Sequence, residues 1–368
     1  VREIAAEGLA VSAVSVGELD LAARAGLTAA QTVLEGIGKT ERDLAAAVKL
    51  AEDGRPLMWV SLESAEDAAA LAKVAAPGIR PRGRQRRRLR IDVVVRVNPA
   101  VAPETLGVLA VGAPASKFGV LPEELSAVIE AGGGPDGPLR WRGIHLHVGS
   151  QLGAVDAWRS AFRVGLRLLE LQRATLTDFD TLDAGGGFPV AYGGEADSIP
   201  AAARFGAEAM AELDQMPQGA RPSRLAVEPG RAVVAGSGWL VGRVLHVRRR
   251  EPAIVVLDTG MTELIRPALY AAVHPIVALT SLGRPIGAEE LAITTVRVDG
   301  PVCESTDTLG TARLPDLECG DLVAIGMAGA YGSSMFSTYN GRPRPPEIAW
   351  DNERLTVMRR RGSLRSLP

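Results

Sequence analysis

Lysine is nearly absent from this 368-residue chain: of its 41 basic residues only Lys39, Lys49, Lys73 and Lys117 are lysines. Any chemistry that needs one particular amine therefore has few candidates. Two cysteines, Cys303 and Cys319, cannot make a disulfide framework, which sets a reducing cytoplasm as the expectation. No apolar run approaches the roughly 18 residues needed to span a bilayer, and the opening VREIAAEG has no apolar core of a signal peptide. A formal net charge of -2 offers no general attraction to nucleic acid or anionic membrane. The balance is that of a globular protein: 46% hydrophobic and 23% charged residues can bury a sizeable core. The length suggests one large barrel plus a smaller domain, with 1–235 as the first and 236–368 as the second.

Short β-branched runs at 9–14, 32–34, 57–60, 91–97, 142–148, 180–182 and 224–227 alternate with helical patterns. The helical stretches are 16–25, 41–52, 64–75, 123–130, 156–172 and 199–215. Strand–helix alternation without a central reversal predicts a parallel (β/α)8 barrel of the TIM type, one strand short of eight. Residues 1–6 read as the tail of a helix, so the expected fold is α/β, a barrel lacking its first βα unit. After about residue 236 the runs 241–247, 253–257, 293–298 and 322–325 are separated by Gly and Pro, and a mostly β second domain is expected. The segment 80–90 (RPRGRQRRRLR) holds seven arginines. It has no aromatic residue and reads as a solvated surface insertion, not a nucleic-acid patch.

Several short runs carry chemistry. Gly185-Gly186-Gly187 follows a strand, where backbone N–H groups can approach phosphate oxygens. Glu228-Pro229-Gly230-Arg231 ends the last strand of the expected barrel, on the face where barrel sites are built. His145 and His147 share one face of a strand, which suits a metal, but no third ligand follows at metal-site spacing and none is expected. Arg266, in LDTGMTELIRPALY, is a surface cation or a bidentate carboxylate clamp. Cys303 is most simply a buried structural thiol.

In this order the runs HLHVGSQ, DAGGGFP, EPGR, CESTD and GAYG resemble the barrel-type, alanine-racemase-like pyridoxal-phosphate decarboxylases of basic amino acids, most closely the diaminopimelate decarboxylases. SKFG at 116–119 matches the same family. The resemblance implies pyridoxal phosphate as cofactor. It places Glu228 at the pyridine nitrogen, His147 against the ring, Ser150 beside it, and Gly185, Gly186, Gly187, Gly230 and Arg231 by the phosphate. Arg231 and Tyr331 would also meet the substrate, Tyr331 touching the cofactor too. Arg266 and Tyr270 would grip a distal carboxylate, Glu304 a distal amino group, and Cys303 would deliver a proton across the interface of a homodimer. The implied reaction is meso-diaminopimelate to L-lysine and CO2, with no nucleic-acid or membrane partner. One family feature is missing: no tyrosine-alanine-(any)-lysine-alanine-asparagine strand supplies the Schiff-base lysine. That run would lie before residue 1, and the chain as given is expected to be N-terminally truncated and inactive alone. The segment 97–120 also lacks the histidine and Thr-Gly usual before SKFG. A decarboxylase of ornithine or arginine, and a noncatalytic relative without the lysine, remain the alternatives.

Overall fold

The computed structural model describes residues 2–76, 89–103, 105, 112, 116–193, 199–286 and 293–367. Most of the basic run at 80–90 lies outside the described residues. The chain divides into two compact units, one of 1–189 with 199–229, the other of 190–198 with 230–368.

The first unit is built on seven parallel strands in sequence order: β1 (Val11–Ala13), β2 (Thr32–Leu34), β3 (Trp59–Leu62), β4 (Ile91–Val97), β5 (Leu139–Leu146), β6 (Thr181–Asp183) and β7 (Arg224–Ala226). All seven match runs read from the sequence. Among the described residues seven helices join or precede them: α1 (Arg2–Ala6), α2 (Val16–Arg24), α3 (Glu41–Glu52), α4 (Ala65–Ala75), α5 (Leu125–Ala131), α6 (Asp156–Gln172) and α7 (Ala202–Asp214). Helix starts are fixed by side chains. Ser15 Oγ accepts the Glu18 N–H at 3.3 Å, Ser64 Oγ that of Asp67 at 3.1 Å, and Thr40 forms a reciprocal capping box with Asp43. On α3 the buried Leu44, Ala47, Val48 and Ala51 recur at helical spacing and face the sheet. Residues 93–97 of β4 are all buried, as expected where a parallel sheet is covered on both faces.

The sheet is curled. Strands β1 and β7 are its two edges, yet Ser12 Oγ lies 3.1 Å from Glu228 Oε1, the residue two beyond the end of β7. Seven strands thus present their C-terminal ends to one small region. The SKFG loop is anchored from the same end: Val97 pairs with Val120, the Gly119 N–H donates to Glu63 Oε2 (3.1 Å), and Arg96 pairs with Glu63 Oε1 (3.2 Å) while lying over the Phe118 ring. Gly119 has φ +68°, and an added Cβ would sit 2.9 Å from the Arg96 carbonyl oxygen.

The second unit contains a six-stranded sheet in the order β10-β13-β8-β9-β11-β12. The strands are β8 (Leu240–Arg248), β9 (Ala253–Leu257), β10 (Ile276–Leu279), β11 (Thr294–Asp299), β12 (Thr308–Leu314) and β13 (Leu322–Ile325). A hairpin follows, β14 (Glu347–Asp351) with β15 (Arg354–Arg359), and two five-residue helices complete the unit, α8 (Gly230–Val234) and α9 (Arg266–Tyr270). Sequence patterning had found β8, β9, β11 and β13. β10 and β12 were missed because Pro and Gly flank them; the hairpin was missed although Ile348, Trp350, Leu355 and Val357 alternate on one exposed face.

Gly119→Ala should lower unfolding stability by about 2–4 kcal/mol, since it adds a positive-φ penalty to a backbone clash. The urea midpoint measures this, and the variant Lys117→Ala, on an exposed neighbour, should move it little.

Candidate active site

The strand ends of the first unit bring together residues far apart in sequence. Glu35 follows β2, His145 is in β5, Asp183 ends β6, Glu228 follows β7 and Ser61 is in β3. His145 Nδ1 is 2.8 Å from Ser61 Oγ, and its Nε2 is 3.7 Å from Glu228 Oε2, an ion-pair distance longer than a hydrogen bond. Ser12 Oγ is 3.2 Å from Glu35 Oε1 and 3.1 Å from Glu228 Oε1. A hydroxyl has one proton to donate, so it can satisfy one carboxylate only; the other carboxyl must bring its own proton.

The electrostatics say which one. Burial pushes the Glu35 carboxyl well above its usual range, and the neighbouring Glu228 charge adds to that despite the counteracting His145 cation. For Glu228 burial works the same way. It is overturned by His145 and by hydrogen bonds from the surrounding groups, which hold Glu228 well below the usual range. Glu228 is therefore the more acidic of the two, and Glu35 the one that holds its proton more tightly. Burial opposes the His145 cation, yet Glu35 and Glu228 raise it to about 9. Asp183 is raised to about 6 by burial and by Glu228, and accepts the Gly185 N–H at 3.0 Å.

Glu35, His145 and Glu228 offer ligand atoms within 4.8 Å of one another, close enough for one metal ion. The set joins His145 to two carboxylates from beyond other strands and does not include His147. A cationic His145 has no lone pair to give, however, so at neutral pH this arrangement favours an ion pair over coordination.

His147 lies on the same side, its Nδ1 3.5 Å from Glu228 Oε2 and accepting the Gly186 N–H at 3.2 Å. The glycine triplet is demanded by close approach. An added Cβ would fall 2.0 Å from the Leu146 carbonyl oxygen at Gly185, 2.5 Å from that of Glu228 at Gly186, and 2.5 Å from that of Gly149 at Gly187. Two of the three N–H groups expected to face a phosphate, those of Gly185 and Gly186, are already bonded to Asp183 and His147. Ser150 is partly buried in the loop beyond His147, its carbonyl accepting the Thr105 hydroxyl at 2.6 Å. An ionised carboxylate with a flat imidazole beside it, hemmed by glycines, fits the nitrogen and the face of a pyridine ring.

The second unit holds the other expected residues. Arg231, buried in α8, donates from Nη1 to the Tyr192 hydroxyl (2.6 Å) and lies 4.8 Å over the Tyr331 ring. Gly230 begins the same short helix and is exposed. Arg266, 4% exposed, stands 4.9 Å over the Tyr192 ring and hydrogen-bonds His274 Nε2 at 2.9 Å. Among the described residues no carboxylate pairs with it. Tyr270 closes the same helix, half-buried. Tyr331 has φ +58° within a loop whose glycines pack tightly: a Cβ on Gly329 would sit 1.9 Å from the Val234 carbonyl oxygen. Cys303 is exposed, contrary to the simple expectation of a buried thiol. Glu304 accepts the Tyr339 hydroxyl at 2.6 Å. Their loop is held by Asp307, which accepts the N–H groups of Met261 (2.6 Å) and Val302 (2.7 Å).

Residues 1–235 match the family of pyridoxal-dependent decarboxylases, through its pyridoxal-binding domain. A diaminopimelate decarboxylase of Deinococcus radiodurans is 34% identical over 98% of this chain and 82% of its own length. One from Neisseria meningitidis serogroup B is 33% identical over 99% and 81%. The chain belongs to the diaminopimelate decarboxylase family. A crystal structure of the Helicobacter pylori diaminopimelate decarboxylase complexed with L-lysine superposes with a TM-score of 0.86 at 30% identity, over 99% of this chain and 84% of that one. The resemblance read from the sequence stands, and with it the α/β barrel-type sheet with a separate, mostly β unit, and pyridoxal phosphate as the cofactor. Glu35, Ser12, Asp183, Tyr192 and His274 were not read as site residues. The strand-end positions of Glu35 and Asp183 were the available signal for those two.

His145 makes stability pH-dependent. Its folded value lies above its unfolded 6.5, so its contribution is present below pH 6.5 and is lost as the pH rises towards about 9. The loss should be on the order of 3 kcal/mol. Glu35, raised from 4.5, adds a slope of the same sign. Melting temperatures should fall across that window, and His145→Gln should flatten the fall.

Proposed function

We propose that this chain carries the cofactor and substrate groups of a meso-2,6-diaminopimelate decarboxylase, releasing CO2 and forming L-lysine. The observation that carries the choice of substrate is Arg266: a buried guanidinium with a tyrosine face and a neutral histidine for neighbours and no acid among the described residues. Desolvation lowers its pKa, and Arg231 nearby adds to the excess of positive charge. A substrate carboxylate removes that excess. Diaminopimelate has a second carboxylate to offer, whereas ornithine and arginine have none.

Bound pyridoxal phosphate supplies the sink for the electron pair left when the C–COO⁻ bond breaks. The protein's part is to hold and move protons. Glu228, kept anionic by His145, holds a proton on the ring nitrogen. His147 packs against the ring, with Ser150 beside it. Gly187, Gly230 and Arg231 meet the phosphate, joined by Gly185 and Gly186 where their present bonds exchange. Arg231 and Tyr331 contact the substrate, Arg266 and Tyr270 its distal carboxylate, and Glu304 its distal ammonium. Cys303 gives a proton to the α-carbon that lost CO2.

An exposed thiol is a poor choice for a guarded proton transfer, because water competes. We therefore place Cys303 and Glu304 at the interface of a homodimer whose second copy covers them. A cytoplasmic location agrees with two free cysteines, and no helix among the described residues is long and apolar enough to cross a membrane. We infer that none of the four lysines serves as the Schiff base, since each is engaged or exposed elsewhere. Lys39 is buried against Asp67 (2.9 Å), Lys49 pairs with Asp53, Lys117 lies over Phe118, and Lys73 is exposed on α4. These 368 residues are proposed to be inactive alone, and the assay supplies a small primary amine with pyridoxal phosphate.

Under those conditions radiolabelled CO2 should be released from carboxyl-labelled diaminopimelate. Arg266→Leu should raise KM for diaminopimelate at least ~100-fold, the scale of a lost bidentate charged contact, and sparing it would point to a substrate without a distal carboxylate. Cys303→Ala should abolish turnover while the cofactor absorbance is retained; unchanged turnover would remove Cys303 from the mechanism.

A further inference from the structure

The environment of Arg266 contains a second residue with a defined task. Helix α9 begins at Arg266 and ends at Ala271, whose φ of +51° turns the chain back. His274 follows three residues later. The β10–β13 pairing, with Ile276 opposite Ile325, sets Pro275 and His274 against Gly326. The Gly326 N–H donates to the Pro275 carbonyl oxygen at 2.8 Å, and His274 Nδ1 meets the Gly326 carbonyl oxygen at 2.9 Å.

That second contact settles the tautomer. A carbonyl oxygen can only accept, so Nδ1 carries the proton and Nε2 is left with a lone pair. Nε2 is 2.9 Å from Arg266 Nη1, which can only donate. Burial, and Arg266 beside it, keep His274 below the ordinary imidazole value, so the ring stays neutral and the lone pair stays available. The ring also meets Tyr192 edge to face at 5.1 Å, and Arg266 lies over that same tyrosine. The groups facing His274 are thus Arg266, Arg231 and Tyr192, with the Gly326 carbonyl behind it.

We propose that His274 is a specificity-positioning residue: its bare Nε2, fixed by the Gly326 carbonyl, takes one N–H of Arg266 and holds the guanidinium so that its remaining N–H groups meet a substrate's distal carboxylate. This rests on the reading of Arg266 as the carboxylate site. A carboxylate in place of His274 would neutralise Arg266 and compete with the substrate. A neutral acceptor orients the cation and leaves its charge unspent. The histidine therefore sets selectivity between amino acids with and without a second carboxylate, and it need not touch the substrate.

The test is calorimetric binding of meso-diaminopimelate and of L-lysine to the protein loaded with pyridoxal phosphate, for the wild type, Arg266→Leu, His274→Phe and His274→Gln. His274→Phe keeps the ring shape and removes the acceptor. It should weaken diaminopimelate ~10- to 100-fold, the scale of one buried hydrogen bond to a charged group, and leave lysine unchanged. His274→Gln returns an acceptor oxygen and should recover most of the loss, which a merely structural role would not predict. If Arg266→Leu weakens diaminopimelate selectively and His274→Phe does not, the positioning role is overturned and the carboxylate reading survives. If Arg266→Leu has no selective effect, both fall. Should His274→Phe fail to fold, ¹⁵N NMR of the wild-type imidazole decides: a proton on Nε2 instead of Nδ1 overturns the proposal.

Discussion

A carboxylate largely withdrawn from water needs a counter-charge, and in this molecule the pair is the half-buried Glu228 with the buried His145. Low dielectric makes the uncompensated carboxylate costly, so the strand ends around it are arranged as an answer to that cost. Ser61 orients His145 from β3, Ser12 reaches across from β1, and Glu35, just after β2, binds its proton more tightly than Glu228 does. The pair also spans the curl of the sheet. The ionisation of Glu228 is a property of five strands acting together.

The second unit solves the opposite problem. Arg231 and Arg266 are two buried cations near each other, eased by aromatic faces and a neutral histidine. One group of side chains thus holds negative charge at the strand ends of the first unit, and the other holds spare positive charge in the second. Each surplus is tolerated because packing fixes its neighbours: Asp307 and the tight glycines of the second unit, and the triplet at 185–187 in the first.

Much of this was legible in the chain. The seven parallel strands followed from β-branched runs alternating with amphipathic helices, and the ends of α3 and α6 were read to the residue. EPGR, HVGSQ and GGGFP were legible through their order and the family resemblance, and close backbone approach explains the glycine triplet alone. Glu35 and Ser12 were not. Each is an ordinary residue in or just after an ordinary strand, and only the curling of the sheet makes them neighbours of Glu228, 216 positions from Ser12. His274 was hidden likewise, since its meaning lies in the pairing of two short strands that Gly and Pro obscure. The expected fate of Cys303 differed because a loop clamped by an internal aspartate can hold its thiol outward.

Tyr192 has a wider consequence. It comes from the loop after the glycine triplet, within 190–198, yet it belongs to the compact unit otherwise formed by residues 230–368. That unit is discontinuous in the chain, and its two arginines share a tyrosine encoded some forty residues upstream of the rest. A rearrangement that exchanged residues 230–368 alone would leave that aromatic behind and carry off the two arginines packed against it.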